Sequence, residues 1–115
     1  MDVTERKAEG ITVLEINGSF ELMEAEIVKQ YINEHIEVNN ENKLIFDFKN
    51  THYVDSSAVG VVVRTSRQIL GKDGNVAVIH LRDNIKQILQ TMNLLSIINV
   101  FDTEQEAVDF LNNPG

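Results

Sequence analysis

The chain has 115 residues and a formal net charge of −8, a length that predicts one domain, residues 1–115, around a single core. The acidity speaks against nucleic acid, whose phosphates call for clustered Lys and Arg, and against an anionic membrane surface. There is no cysteine, no apolar run near the ~20 residues of a membrane span, and no signal-peptide pattern in MDVTERKAEG. The expectation is a cytoplasmic protein without disulfides or a thiolate metal site.

The segment Val3 to Lys7 reads as an edge strand that turns at Glu9-Gly10 into ITVLEI, Ile11 to Ile16. Alternation there sets Ile11 and Val13 on one side and Leu14 and Ile16 on the other. Asn17-Gly18 closes that strand. From Leu22 to Ile36 the spacing of Ala25, Val28, Ile32 and Ile36 makes one helical apolar stripe, with Glu24, Glu26, Lys29 and Glu34 outside it. NNEN (39–42) is a turn, and LIFDF (44–48) is a nearly continuous apolar run, the pattern of a central strand buried on both faces. A helix then begins after YVDSSAVG and ends at Gly71-Lys72-Asp73-Gly74, where Gly71 suits a left-handed terminal position. VAVIHL (76–81) is another buried strand. Asp83 opens a third helix with Ile85, Ile88, Leu89 and Met92 inward, and IINVF (97–101) is a last strand. Thr103 and Glu106 form a capping box that starts a final helix, with Ala107, Phe110 and Leu111 inward. The tail, residues 112–115, is expected to fray. The order β-β-α-β-α-β-α-β-α predicts an α/β fold with about four helices on a mixed, mainly parallel sheet.

On the second helix, a projection at 100° per residue gathers Ala58, Val59, Val62, Val63, Ser66, Ile69 and Leu70 on the arc facing the sheet. Ser57, Gly60, Arg64 and Arg67 make an exposed ridge on the other side, with Val61 at its edge and Thr65 on the same arc. A glycine inside a helix costs roughly 1 kcal/mol relative to alanine, so two readings of Gly60 stand: close approach of a partner, or packing under a neighbouring loop. The residues Asp55, Ser56 and Ser57 also carry two readings. Each is a good helix cap, but one cap does not need three such residues. A helix N-terminus also offers free N–H groups and positive potential to a phosphate on serine.

The run Leu44 to Phe48 followed by Tyr53-Val54-Asp55-Ser56-Ser57-Ala58-Val59-Gly60 resembles the signature of the STAS domain family, more narrowly the bacterial anti-sigma factor antagonists. Gly18-Ser19-Phe20-Glu21 resembles the family's Gly-x-Leu-Asp turn, and Met92-Asn93-Leu94 with Thr103 to Leu111 resembles its last two helices. The resemblance covers essentially the whole chain. It implies a binding protein rather than an enzyme, phosphorylated on a serine by a partner serine kinase that is itself the anti-sigma factor. The unphosphorylated form binds that kinase and frees a sigma factor, and a metal-dependent serine phosphatase resets the switch. By position Ser56 is the implied phosphate acceptor, with Ser57 the second choice. By the same carry-over Asp55, Ser57 and Glu21 are the implied partner-binding residues. The projection adds Gly60, Val61 and Arg64 to them, a small residue beside an exposed apolar one rimmed by arginine being the pattern of a docking surface. Ala58, Val59 and Glu21 depart from the family's usual glycine, leucine and aspartate.

An enzyme reading has little support: there is no Gly-x-Ser-x-Gly elbow. His35 and His80 read as structural, and His52 as a surface residue near the motif. No His/Asp/Glu set has metal-ligand spacing and no glycine-rich loop cradles a nucleotide, so neither metal nor cofactor is expected. The alternative within the binding class is a constitutive STAS adaptor in a multiprotein signalling or transport complex, never phosphorylated. The sequence leaves the oligomeric state open.

Overall fold

The computed structural model describes residues 3–113; the expected fraying of Pro114 and Gly115 lies outside them. Strands β1 (Val3–Ala8) and β2 (Ile11–Ile16) form the expected antiparallel hairpin. Glu9 and Gly10 both have positive φ, +49° and +84°, the backbone of a tight two-residue turn whose twist matches its strands. Strands β4 (Lys43–Asp47), β6 (Asn75–Ile79) and β7 (Asn99–Phe101) follow β2 in parallel, in the order β1-β2-β4-β6-β7.

Because each parallel step moves the same way across the sheet, right-handed crossovers put the connecting helices on one face. These are α1 (Leu22–Ile32), α2 (Ser56–Leu70) and α3 (Asp83–Thr91). Their apolar sides share a core with Leu14, Leu44, Phe46, Val76 and Val78. The opposite face, with Val13, Ile45, Ala77 and Ile79, is covered by Ala107, Val108 and Leu111 of α4 (Glu104–Asn112). Leu44, Ile45 and Phe46 are therefore fully buried from both sides. The capping box of α4 is present: the Glu106 N–H donates to the Thr103 hydroxyl at 3.2 Å and the Thr103 N–H to the Glu106 carboxylate at 3.1 Å.

Several expectations shift. The helix read over 22–36 is α-helical only to Ile32 and continues as a π-helical turn, Asn33–Val38. Glu24, expected outside the stripe, is buried and accepts the Glu21 N–H at 3.0 Å. Two short strands, β3 (Gly18–Phe20) and β5 (Thr51–Val54), were expected as a turn and as a strand end; they pair with each other, not with the main sheet. Gly71 is right-handed, φ −65°, while Asp73 takes the positive φ; the close approach belongs to Gly74, packed on the Asn42 backbone. His80 lies just past β6 with φ +61°. Met92 and Leu70, expected inward, are exposed, and the last strand, expected from Ile97, begins only at Asn99.

Two charge clusters tie the edge strand β1 to the rest of the molecule. Arg6 on β1 pairs with Glu15 at 2.6 Å, with buried Asp47 at 3.1 Å, and with Glu104 at the start of α4. Burial alone would push the Asp47 carboxyl up. His80 Nδ1 at 2.9 Å, the Lys49 N–H at 3.0 Å and Arg6 outweigh it and hold the group below its usual value. In the π-helical turn, buried His35 meets Glu41 through Nδ1 at 2.7 Å and Glu5 through Nε2 at 2.9 Å. Only the imidazolium donates from both nitrogens. Burial disfavours that charge, but the two carboxylates prevail and raise the His35 pKa above its ordinary value. The Thr12 hydroxyl also donates to Glu41, at 2.7 Å.

This latch has a defined pH window. A raised folded-state pKa makes its contribution complete below the unfolded histidine value of about 6.5 and lost as pH rises through the folded value. The difference in unfolding free energy between the native sequence and His35→Gln, from urea titrations, is expected to be largest near pH ~6 and to shrink toward pH ~9. A flat difference would show that neutral imidazole holds the turn equally well. At Gly74, an added Cβ would lie 1.8 Å from the Asn42 carbonyl oxygen. Gly74→Ala is expected to cost about 2 kcal/mol or more in thermal unfolding, since backbone must move to admit it.

Candidate functional site

The site begins with the β3–β5 ribbon. Phe20 is paired with Val54, and the Phe20 carbonyl accepts the Asp55 N–H at 3.2 Å. The Thr51 hydroxyl donates to the Ile16 carbonyl at 2.7 Å, tying β5 to the end of β2. Phe20 is buried edge-on against Phe48, with ring centroids 5.8 Å apart. This apolar clasp sets the starts of α1 and α2 side by side, so Glu21 and Asp55, distant in sequence, are the N-caps of neighbouring helices.

Capping of α2 is done by one residue. The Ala58 N–H donates to the Asp55 carboxylate at 3.0 Å, and the Asp55 carbonyl accepts the Val59 N–H at 3.1 Å. Ser56 and Ser57 are the first two helical residues, so their own N–H groups have no partner within the helix. Ser56 is exposed and Ser57 half-buried. The Ser56 side chain is thus free of the capping task.

The ridge beyond it is present in part. Gly60, Arg64 and Arg67 are exposed. A Cβ added to Gly60 would meet nothing within 4 Å, which removes packing under a loop as the reason for the glycine. Val61 is not at an exposed edge: it is 4% exposed, and Thr65 is buried with it. A projection with one buried arc overlooks that α2 packs against α1 as well as the sheet, so two of its faces are covered. Leu70 moves the other way, to 57% exposed.

A groove runs along each side of this ridge. One is lined by Leu22 and Lys29 of α1 together with Ser56, Ser57, Gly60 and Arg64. The other has Val59 and Val63 on α2 facing Met92 and Leu94 beyond α3, with Ser56, Arg64 and Arg67 at its rim. Sequence reasoning missed Leu22, Met92 and Leu94 as site residues. The only signal was that Leu22 and Met92 sit at helix ends, where an apolar stripe runs out of core to fill; Leu94, past the end of α3 and half-buried against the core, gave none.

The arrangement offers an exposed hydroxyl, Ser56, at the start of α2. His52 is exposed on β5, and its carbonyl accepts a hydrogen bond from Asn84 at 3.0 Å. His35 and His80 are engaged with carboxylates away from the serines. Among the described residues no group of three or more His, Cys, Asp or Glu is placed to hold a metal ion, and no helix is long and apolar enough to cross a membrane. The site presents an exposed serine at a helix N-terminus, between two grooves.

Comparison with known proteins agrees with this architecture. The family model described as STAS domain matches residues 2–107. The anti-sigma F factor antagonist of Paenibacillus polymyxa is 23% identical over 99 residues, 86% of this chain and 85% of that one. A candidate anti-sigma factor antagonist of Thermotoga maritima superposes with a TM-score of 0.88 at 20% identity, covering 96% of this chain and 95% of that one. The Bacillus cell fate determinant SpoIIAA, solved in its phosphorylated form, superposes with a TM-score of 0.73 at 20% identity over 93% and 96% of the two chains. At these identities the superpositions establish the fold, and with the family match running nearly end to end, the chain belongs to the STAS domain family.

Proposed function

We propose that this protein is an anti-sigma factor antagonist switched by phosphorylation of Ser56. Unphosphorylated, it binds an anti-sigma factor serine kinase and so frees a sigma factor; the kinase inactivates it by modifying Ser56, and a serine phosphatase restores it. The observation that carries this reading is the division of labour at the α2 N-terminus. Asp55 caps the helix through Ala58, leaving Ser56 exposed without a structural duty. The named role of the Paenibacillus polymyxa relative supports the partner class. The existence of a phosphorylated form of the Bacillus neighbour supports the modification.

The physics of the switch is local. A phosphate at Ser56 adds about −1.5 to −2 charge at pH 7. The free N–H groups of the first turn and the helix dipole accommodate it, so the fold persists. The new charge stands beside Asp55 and Glu21, in the middle of the surface a partner would cover. Asp55, Ser57, Gly60, Arg64 and Glu21 form that surface. Val61, being buried, contributes by seating α2 on α1.

Intact mass with fragment localisation, on the protein isolated from its own cells in growing and stressed states, is expected to find one phosphate on Ser56 whose occupancy changes. A phosphate on Ser57 would move the site by one residue; none in any state would favour a constitutive adaptor. In binding assays against the anti-sigma factor kinase, Ser56→Asp is expected to abolish association and Ser56→Ala to retain it, with both folds intact by circular dichroism. Insensitivity to both would defeat the switch. Gly60→Ala is expected to raise unfolding stability by about 0.5–1 kcal/mol, since nothing in the molecule opposes the methyl group. It is expected at the same time to weaken kinase binding. A stabilised variant with unchanged affinity would place the contact elsewhere.

A further inference from the structure

Among the described residues, neither Arg64 nor Arg67 takes part in an ion pair, although the chain carries a net charge of −8. Arg6 is engaged by three carboxylates, Lys7 by Glu41 and Lys29 by Glu26. Lys43, Lys49, Lys72, Arg82 and Lys86 also form no ion pair among the described residues; what distinguishes Arg64 and Arg67 is that they stand together on one groove. The two arginines rim the groove of about 400 Å³ between α2 and the segment after α3. The apolar wall of that groove comes from Val59, Val63, Met92 and Leu94, and Met92 is 44% exposed. Gly60 borders it from the ridge without a side chain.

Resting on the reading of Ser56 as a partner-binding switch, we infer that this groove receives an amphipathic segment of the protein partner. Its apolar side chains pack on Met92, Leu94, Val59 and Val63, and one or two carboxylates at its edge meet Arg64 and Arg67. The chemistry selects this occupant. A wholly apolar segment would leave two guanidinium groups to be covered without compensation. A polyanion such as nucleic acid would meet only two cations on a strongly acidic molecule. A helix with apolar anchors at i, i+3, i+4 and i+7 and acids flanking them matches both the wall and the rim. The same arithmetic explains the switch. Arg64 and Arg67 give the groove a charge of +2, and a phosphate of about −1.5 to −2 on Ser56 at the same rim cancels it.

The test uses three synthetic helical peptides with the same apolar stripe, flanked by Glu, Gln or Lys, titrated into the ¹⁵N-labelled full-length protein. The Glu-flanked peptide is expected to shift the amides of Gly60, Arg64, Arg67 and Met92. It is expected to bind about tenfold tighter than the Lys-flanked one. In the double variant Arg64→Glu/Arg67→Glu, with its fold verified by the same spectra, the preference is expected to reverse. Absence of charge preference, failure to reverse, shifts mapping away from α2, or no binding at millimolar peptide would each overturn the inference. Repeating the titration on Ser56→Asp separates the two readings. A Glu-peptide affinity unaffected by Asp would keep the groove and count against the switch. Kinase binding that responds to Ser56→Asp without any peptide charge preference would keep the switch and remove the groove.

Discussion

Burial of β4 on both faces is the constraint from which the rest of this structure follows. Leu44, Ile45 and Phe46 are fully inaccessible, alternating between the core beneath α1, α2 and α3 and the core beneath α4. Each such side chain contributes roughly 1.5–3 kcal/mol of transfer free energy, which no single-layer arrangement recovers. With β4 central and its neighbours parallel, the crossovers must be helices on one face, and three of them lie side by side there. The middle helix, α2, is therefore covered by the sheet below and by α1 at its flank, and only a narrow ridge of it meets solvent.

That ridge is aimed by the β3–β5 ribbon. The chain leaves β4 at Asp47, turns at Lys49-Asn50, and runs back beside β3 before it reaches Asp55. Phe20 and Phe48 fill the space beneath the ribbon, and Thr51 anchors it to Ile16. The result is a rigid mounting for a helix N-terminus. Because Asp55 satisfies Ala58, Ser56 is left exposed and free of the capping task. On the proposed reading, the site is a substrate and a contact surface together.

The charges are sorted to suit. Carboxylates outnumber cations by eight, yet the tightest networks gather around the edge strand β1, where Arg6 unites Glu15, Asp47 and Glu104 and His35 unites Glu5 and Glu41. These pairs tie β1, the π-helical turn and α4 to the body of the sheet. They lie away from the face of α2, where Arg64 and Arg67 stay uncommitted. A single phosphate on a face with so few charges changes its sign balance, whereas the same phosphate on the crowded edge would alter little.

Much of this was legible in sequence. The alternation of Ile11 to Ile16, the continuous run at Leu44 to Phe48, the capping box at Thr103 and Glu106, and the acid-serine-serine start of α2 each report a local preference that the fold satisfies. So does the family resemblance, carried by residues contiguous in the chain. What the sequence could not determine depends on contacts between distant segments. Val61 and Thr65 are buried because α1 happens to lie beside α2, and periodicity on one helix contains no information about its neighbour. The ribbon of β3 and β5 is too short to show a strand pattern of its own and exists only because β2 and β4 bring its halves together. Whether Asp55 or Ser56 caps the helix was likewise decided by tertiary geometry. The Phe20 carbonyl fixes the Asp55 backbone in an extended conformation that turns its carboxylate onto Ala58, and so leaves Ser56 facing solvent.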